Sequence, residues 1–240
     1  MKKFLLGAAA LLVLAMPAAG ADMRARPYAK APVAVPPALA PIYNWTGFYV
    51  GGHVGGDWAA SAGLANTGGN FLGGVQAGFD YQFGQNFVVG LEGQYSWLAN
   101  SNTGGLAFAG GGLATQNTRG LGAATARAGW TWGPGLLYVK GGYAYRDPTG
   151  INVTVAGVPQ AYATTGNRRD GYTVGAGLEY MFAPNWSAKA EYQYYDFGTT
   201  QFTAASPAGL VGASVRNDEH TVKLGVNYRF GWGGPAGARY

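Results

Sequence analysis

Apolar and polar residues alternate at every second position along much of the chain, most clearly near its C-terminal end. Segment 221–230 separates into two faces: Val222, Leu224, Val226, Tyr228 and Phe230 on one, and Lys223, Asn227 and Arg229 on the other. An alternating segment of about 9 to 11 residues that ends on an aromatic residue is typical of a transmembrane β-strand. The pattern predicts a strand with lipid on one side and a polar lumen on the other.

The same alternation occurs in eight segments. They are 46–58, 71–83, 87–99, 119–132, 136–146, 171–182, 186–196 and 221–230. The start of the fourth is the least well defined, because its outward face is mostly alanine. We expect an all-β fold, an eight-stranded antiparallel up-and-down transmembrane β-barrel over residues 45–230.

The connections between these segments are of two kinds that alternate strictly. Turns 84–86, 133–135 and 183–185 are short, whereas connections 59–70, 100–118, 147–170 and 198–218 are long and either polar or rich in glycine. Outer-membrane barrels alternate in this way between short periplasmic turns and long extracellular loops. The N-terminus and the C-terminus of the barrel segment are therefore both expected on the periplasmic side.

Aromatic residues concentrate at both ends of the predicted strands, as in the two interfacial girdles of a membrane barrel. Tyr81, Phe83, Trp130 and Trp132 are examples at the short-turn end, and Trp58, Trp97, Tyr145 and Tyr172 at the long-loop end. The core of a soluble β-sandwich would not place them at strand ends.

The chain begins with the layout of a secretory signal peptide. Lys2 and Lys3 precede an apolar run at 4–16 and a small-residue site at 19–21, so cleavage after Ala21 is predicted. The apolar run is shorter than the roughly 20 residues that a membrane-crossing helix needs. Residues 22–44 contain five prolines and are expected to form a periplasmic linker. Residues 231–240 form a tail rich in glycine.

Composition supports a membrane barrel over a water-soluble domain. Only 11% of residues are charged, against roughly 25% in soluble domains, while 14% are aromatic and 42 of 240 are glycine. The chain has no cysteine, which excludes disulfides and thiolate metal sites. The net charge of +5 is scattered, so nucleic acid is not an expected partner.

Charged residues of both signs fall on the predicted inner face. They are His53, Asp57, Asp80, Glu92, Arg127, Lys140, Arg146, Glu179, Lys189, Glu191, Lys223 and Arg229. Side chains just fill the interior of an eight-stranded barrel, so we expect these residues to pair with each other and to exclude an open channel. The alternative is a narrow, charge-lined path for a small solute.

Catalysis is not expected. Only His53 and His220 are available as histidine bases, and nothing around either residue marks it as catalytic. The two histidines are not at ligand spacing and the loop carboxylates are sparse, so no metal site or cofactor is predicted either.

Three motifs carry a resemblance to a known family. They are WTGFYVGG at 45–52, LYVKGGYAY at 137–145 and HTVKLGVNYRF at 220–230. Together with the Pro-rich segment after the signal peptide, they resemble the porin-like outer-membrane β-barrel proteins of alphaproteobacteria, often called outer-membrane immunogenic proteins. The resemblance implies an abundant eight-stranded surface barrel that helps to maintain envelope integrity. Some members are linked to solute passage or haem binding, and the family has no catalytic residues to transfer.

The leading functional hypothesis is a structural barrel in the outer membrane with exposed surface loops. A small-solute porin is the second hypothesis, and a loop-mediated haem or ligand binder, with Tyr162, Phe202 and Phe108 as candidate residues, is the third. Expected partners are outer-membrane lipid, periplasmic chaperones and the barrel-assembly machinery, with peptidoglycan or external ligands as further candidates. In the family pattern the terminal aromatic residue is part of the assembly signal. We assign that role to Phe230, with Tyr228, because alternation stops there and the following Gly-Pro tail does not sustain a strand.

Overall fold

The computed structural model describes residues 43–59, 69–99, 105–108, 111–205 and 211–231. Eleven strands lie in these ranges and form one antiparallel sheet. They are β1 (Gly47–Ala59), β2 (Asn70–Phe83), β3 (Phe87–Leu98), β4 (Gly105–Phe108), β5 (Gly112–Trp132), β6 (Gly135–Val155), β7 (Val158–Pro159), β8 (Tyr162–Thr165), β9 (Asp170–Ala183), β10 (Trp186–Ala205) and β11 (Ser214–Gly231). Within the same ranges, no helix is long and apolar enough to cross a membrane.

Eight of these strands close into a barrel. They pair in the order β1, β2, β3, β5, β6, β9, β10 and β11, and every pairing is antiparallel. Strand β1 closes the barrel against β11, from Gly47 opposite Gly231 to Ala59 opposite Glu219. Closure satisfies the backbone groups that a free sheet edge would leave unpaired in lipid. The predicted eight-stranded antiparallel barrel is confirmed.

The two ends of the barrel differ, and we call them the turn end and the loop end. At the turn end, tight turns join β2 to β3, β5 to β6 and β9 to β10. Gly84 and Gly133 lie in the first two turns with φ of 61° and 62°, a backbone conformation that side-chain-bearing residues rarely adopt. The alternation of short and long connections in the sequence reflects this difference between the two ends.

Four barrel strands are longer than the sequence pattern predicted. Strands β5 and β6 have 21 residues each, β10 has 20 and β11 has 18. The extra residues lie at the loop end, where the short strands β4, β7 and β8 add to the same ladders. Parts of the connections predicted as loops at 100–118, 147–170 and 198–218 are therefore strand.

The alternation pattern did not predict these loop-end extensions, because their environment differs from that of the barrel wall. An apolar cluster of Ala114, Ile151, Val153 and Phe202 packs the β5–β6 hairpin against β10, with Ala213 and Val215 at its margin. Beyond the membrane no lipid enforces a continuous apolar face, so a stretch such as 115–118, which is polar on both faces, continues the ladder without alternation.

Aromatic rings form belts at both ends of the outer wall. At the turn end, Trp186 and Phe230 both pack edge-on against Tyr228, with ring centroids 5.1 Å apart in each pair. At the loop end, Trp58 stacks on His220 at 5.8 Å. The apolar side chains between these belts face outward, and they include Leu91, Val139, Leu178 and Leu224. This is the surface of a barrel that crosses hydrocarbon.

The predictions for the chain ends fall on residues without a described position. The signal peptide at 1–21, with cleavage at Ala21, lies outside the described residues, as do most of the linker at 22–44 and the tail after residue 231. These assignments stay predictions.

Candidate functional site

Strand alternation places all twelve predicted lumenal residues inside the barrel, where each is 5% exposed or less. Nine of them form a connected set of ion pairs that we call the lumenal network. Its members are Asp80, Glu92, Arg127, Lys140, Glu179, Lys189, Glu191, Lys223 and Arg229. They come from seven of the eight barrel strands.

The half of the network nearer the turn end consists of two arginines and two carboxylates that alternate in a ring. Arg127 pairs with Asp80 and lies 3.2 Å from Glu179 Oε2. Arg229 closes the ring at 2.9 Å from Asp80 Oδ2 and 2.8 Å from Glu179 Oε1. The Arg127 guanidinium also lies over the Tyr49 ring, 4.7 Å from its centroid. Each charge is therefore compensated on two sides, as buried ions require.

The second half lies in the middle of the lumen and joins three lysines to two glutamates. Glu92 is 2.6 Å from Lys140 Nζ and 3.1 Å from Lys189 Nζ. Glu191 is 3.0 Å from Lys140 and 3.2 Å from Lys223. The two halves meet where Arg127 Nη1 lies 3.9 Å from Glu92 Oε2.

Neutral polar side chains complete the coordination of these charges. The Tyr49 hydroxyl donates to Glu92 at 2.7 Å and the Tyr138 hydroxyl donates to Glu191 at 2.8 Å. Gln94 accepts from Lys140 at 3.0 Å, and Gln193 accepts from Lys223 at 2.5 Å. Every carboxylate oxygen of the network that is buried has a partner among the described residues. These neutral groups were not among the predicted site residues, although their inward parity on the same strands identifies them.

Three of the predicted lumenal residues lie outside the lumenal network. His53 contacts Gln76 Oε1 and Ser96 Oγ at 2.5 and 2.8 Å. Arg146 donates to the Asn167 side chain and to a loop carbonyl, both at 2.9 Å, rather than to a carboxylate. Asp57 has no ion pair within 4.0 Å in the described part of the chain. The expected pairing of all twelve residues therefore needs correction at these three, because neutral or backbone partners lie closer to them.

Trp45 closes the lumen at the turn end, a role that the alternation pattern did not predict. The residue is fully buried in a cluster with Val88, Leu136, Tyr138 and Met181. The Arg229 guanidinium lies 4.4 Å from its ring. These apolar side chains occupy inward positions near strand ends, where the alternation rule predicted polar groups. A matching apolar layer of Leu121, Ala123, Ala144, Tyr195 and Phe197 lies toward the loop end.

A second, smaller group of charges lies on the outer side of the loop end. Arg216 Nη2 is 2.8 Å from Asp196 Oδ2, and Arg216 Nε is 3.5 Å from Asp218 Oδ2. Burial raises the pKa of Asp196, but hydrogen bonds from Arg216 and from the Gly198 N–H outweigh it and hold the pKa below its usual range. Because the Arg216 side chain is 57% exposed, the pair adds little to stability.

Among the described inward residues, a serine and a histidine are adjacent at one position. Ser96 Oγ and His53 Nε2 are 2.8 Å apart, but the third partner is the Gln76 amide and not a carboxylate. Both residues are buried in the lumen. The other histidine, His220, faces outward between Trp58 and Tyr192. In the described ranges, no three His, Asp or Glu side chains are grouped for metal binding.

The aromatic candidates for loop-mediated haem binding are engaged in packing. Phe202 is buried in the apolar cluster at the loop end, and the Tyr162 ring packs edge-on against it at 6.5 Å. The Tyr162 hydroxyl donates to the Ile151 carbonyl at 2.7 Å. The side chain of Phe108 lies outside the described positions. Neither described residue presents a free axial ligand.

Comparison with known proteins identifies relatives over nearly the whole chain. The profile of the "Outer membrane protein beta-barrel domain" family matches residues 6–230. The "31 kDa outer-membrane immunogenic protein" of Brucella melitensis biotype 1 is 31% identical, with 81% of this chain and 88% of that protein covered. The "25 kDa outer-membrane immunogenic protein" of Brucella abortus biovar 1 is 29% identical, with 96% of this chain and 99% of that protein covered. The "22 kDa outer membrane protein" of Rhizobium leguminosarum bv. viciae is 28% identical, with 80% of this chain and 81% of that protein covered.

Two solved structures show a more remote similarity. Neisserial surface protein A has 16% identity and a TM-score of 0.44, and covers 77% of this chain and 98% of its own. The outer membrane protein OprG from Pseudomonas aeruginosa has 13% identity and a TM-score of 0.46, with coverage of 79% and 98%.

Proposed function

The chain belongs to the outer membrane protein β-barrel domain family, and on that premise we propose that it is a non-catalytic, closed barrel with a structural role in the envelope. Its location is the outer membrane, with the turn end in the periplasm and the loop end outside. The lumenal network is the observation that carries the proposal. Nine charged side chains fill the middle of the lumen and pair with one another instead of lining a water-filled path.

The energetics of the network support a closed lumen. Removing one partner of a buried ion pair costs about 3 to 5 kcal/mol, because the other charge is left without compensation. A solute that passed through would have to separate several such pairs at once. The apolar cluster around Trp45 adds a second barrier at the turn end. We infer that the interior stabilises the barrel and does not conduct.

The loop end supports a role at the cell surface. Strands β5 and β6 continue together for eight residues on each strand past the level of Gly120, from Gly112 to Val155 in their register. At about 3.3 Å per residue, this two-stranded extension is roughly 26 Å long along the strand direction. Its outer half packs against β10 through Ala114, Ile151 and Val153. A stiff, folded projection of this kind is suited to contacts outside the cell, whereas no described side chain favours haem.

The outward wall and the last strand suggest the remaining partners. Lipid covers the apolar band between the aromatic belts. Phe230 ends the alternation of β11 and stands exposed on the outer wall, opposite Phe48 of β1. We propose that Tyr228 and Phe230 are read by the assembly machinery, so deleting residues 232–240 is expected to leave heat-modifiable barrel formation intact. Loss of insertion would show that the tail carries the signal.

Liposome swelling tests the closed-barrel proposal. Purified mature protein is reconstituted and challenged with small sugars, with protein-free liposomes and a wide porin as negative and positive references. We expect no swelling above the protein-free level. The Trp45→Ala variant, which opens the turn end and leaves the lumenal network in place, is expected to stay closed as well. Swelling by the unmodified protein would overturn the proposal and favour the small-solute porin.

A further inference from the structure

Two carboxylates at the loop end of the lumen lack the full set of partners that the network carboxylates have. Asp57 of β1 is 1% exposed and Glu219 of β11 is 4% exposed. The register pairs Asp57 with Thr221, two residues from Glu219, so the two acids are diagonal neighbours on the inner face. Asp57 Oδ1 and Glu219 Oε2 are both buried and have no hydrogen-bond partner among the described residues.

This arrangement is costly unless something compensates it. Burial of an ionised carboxylate without a partner is strongly unfavourable, and two such groups side by side also repel each other. Asp57 and Glu219 together carry two negative charges when ionised, and Arg146 is the cation that acts on Glu219. A cation bound between the two acids would offset their repulsion.

The surrounding donor atoms define the kind of cation. Thr118 Oγ1 lies 3.5 Å from Glu219 Oε1, and Asn70 is hydrogen-bonded to Asp57. Both are oxygen-bearing side chains, whereas both ring nitrogens of His53, four residues before Asp57 on β1, are already hydrogen-bonded. An all-oxygen site with two carboxylates suits a hard ion such as Ca²⁺, which accepts six to eight oxygen ligands and tolerates irregular geometry.

We propose that Asp57 and Glu219 form a binding site for a divalent cation of the calcium class at the outer end of the lumen. The two unpartnered oxygens are its anionic ligands, and water completes the coordination. The ion bridges β1 and β11, the two strands that close the barrel. With only two carboxylate ligands the affinity is low, of the order of 10⁻⁴ to 10⁻³ M as in extracellular calcium modules. The site is independent of whether the lumen conducts.

Terbium luminescence tests the proposal directly. Tb³⁺ replaces Ca²⁺ in oxygen sites, and neighbouring aromatic rings such as Trp58 and Tyr195 sensitise its emission. The mature protein is folded in a neutral detergent, titrated with Tb³⁺ and then competed with Ca²⁺. We expect one displaceable Tb³⁺ per barrel, with at least tenfold weaker binding in Asp57→Asn and in Glu219→Gln. Asp196→Asn, whose carboxylate is already paired with Arg216, serves as the matched control and is expected to bind as the unmodified protein does.

Each outcome decides the question. Absence of Ca²⁺-competed emission from the unmodified protein overturns the proposal, as does binding that is equally strong in both amide variants. Both substitutions keep side-chain volume and relieve repulsion, so folded barrels are expected by heat-modifiable gel migration. If one variant does not fold, the other decides, and if neither folds, the stoichiometry of the unmodified protein does. A stoichiometry of one displaceable ion supports the site and zero refutes it.

Discussion

Replacement of Glu92 by glutamine removes the carboxylate that joins the two halves of the lumenal network, with almost no change in shape. Its oxygens contact Lys140 at 2.6 Å, Lys189 at 3.1 Å and the Tyr49 hydroxyl at 2.7 Å. The network has five cations and four carboxylates, so Glu92→Gln leaves five cations with three carboxylates in a space without solvent exposure. The NH₂ group of the new glutamine is also a hydrogen-bond donor, and the lysine ammonium groups that it faces have no acceptor for it.

The magnitude follows from the burial of these groups. Breaking a buried ion pair from one side costs about 3 to 5 kcal/mol. At about 1.4 kcal/mol per factor of ten, the folding equilibrium shifts toward the unfolded state by roughly two to four orders of magnitude. Removal of Lys189 in the same chain takes away one of the uncompensated cations. The double variant Glu92→Gln/Lys189→Met is therefore expected to lose at least about 1 kcal/mol less than the sum of the single changes.

The assay is reversible denaturant unfolding in detergent or lipid, followed by tryptophan fluorescence and by heat-modifiable gel migration. Asp170→Asn is the matched control, since this carboxylate is exposed at the loop end and its loss is expected to cost under about 1 kcal/mol. A loss below about 1 kcal/mol in Glu92→Gln, or strict additivity with Lys189→Met, would falsify the closed network. Either result would mean that water solvates these charges.

Three further changes probe other parts of the barrel. Trp45→Ala removes a fully buried ring and is expected to lower the free energy of unfolding by about 3 to 5 kcal/mol in the same titration, and a loss under about 1 kcal/mol would contradict its role as a plug. Leu224→Arg places a charge at mid-height on the lipid face, where Leu224 is 60% exposed, and is expected to lower the free energy of unfolding in lipid by about 2 to 4 kcal/mol. Leu113→Arg, in the part of β5 outside the membrane, is expected to be nearly neutral. Equal losses of stability in the two variants would argue against the assigned membrane level. Gly142→Ala brings a methyl group into the Ala124 carbonyl and is expected to destabilise by about 1 to 3 kcal/mol, while Gly93→Ala meets no atom within 4 Å and is expected to be tolerated.

Sequence alternation determined the barrel wall because its cause is local. A residue in a strand faces the side opposite to that of its two neighbours, and lipid on one side demands apolar groups at every second position. Thus Leu224 and Lys223 revealed their faces before any partner was known, and the eight segments, their three short turns and all twelve inward charges followed. The strand count also implied closure, since an open edge is not tolerated in lipid.

Which inward residues contact each other across the lumen could not be predicted from the sequence, because these contacts depend on the register and tilt of all eight strands at once. Parity alone gave no reason for Arg127 to meet Glu179, 52 residues away, while His53 lies against two neutral groups. The plug by Trp45 was also hidden, because that residue precedes the first strand and no period applies to it. Outside the membrane, where water replaces lipid and the alternation lapses, only the packing of Phe202 and Ile151 between hairpins decided that the chain continues as strand. The sequence by itself thus determined which residues face inward, because that choice is made one residue at a time; the closed fold decided which of them meet, because that choice is made across the barrel.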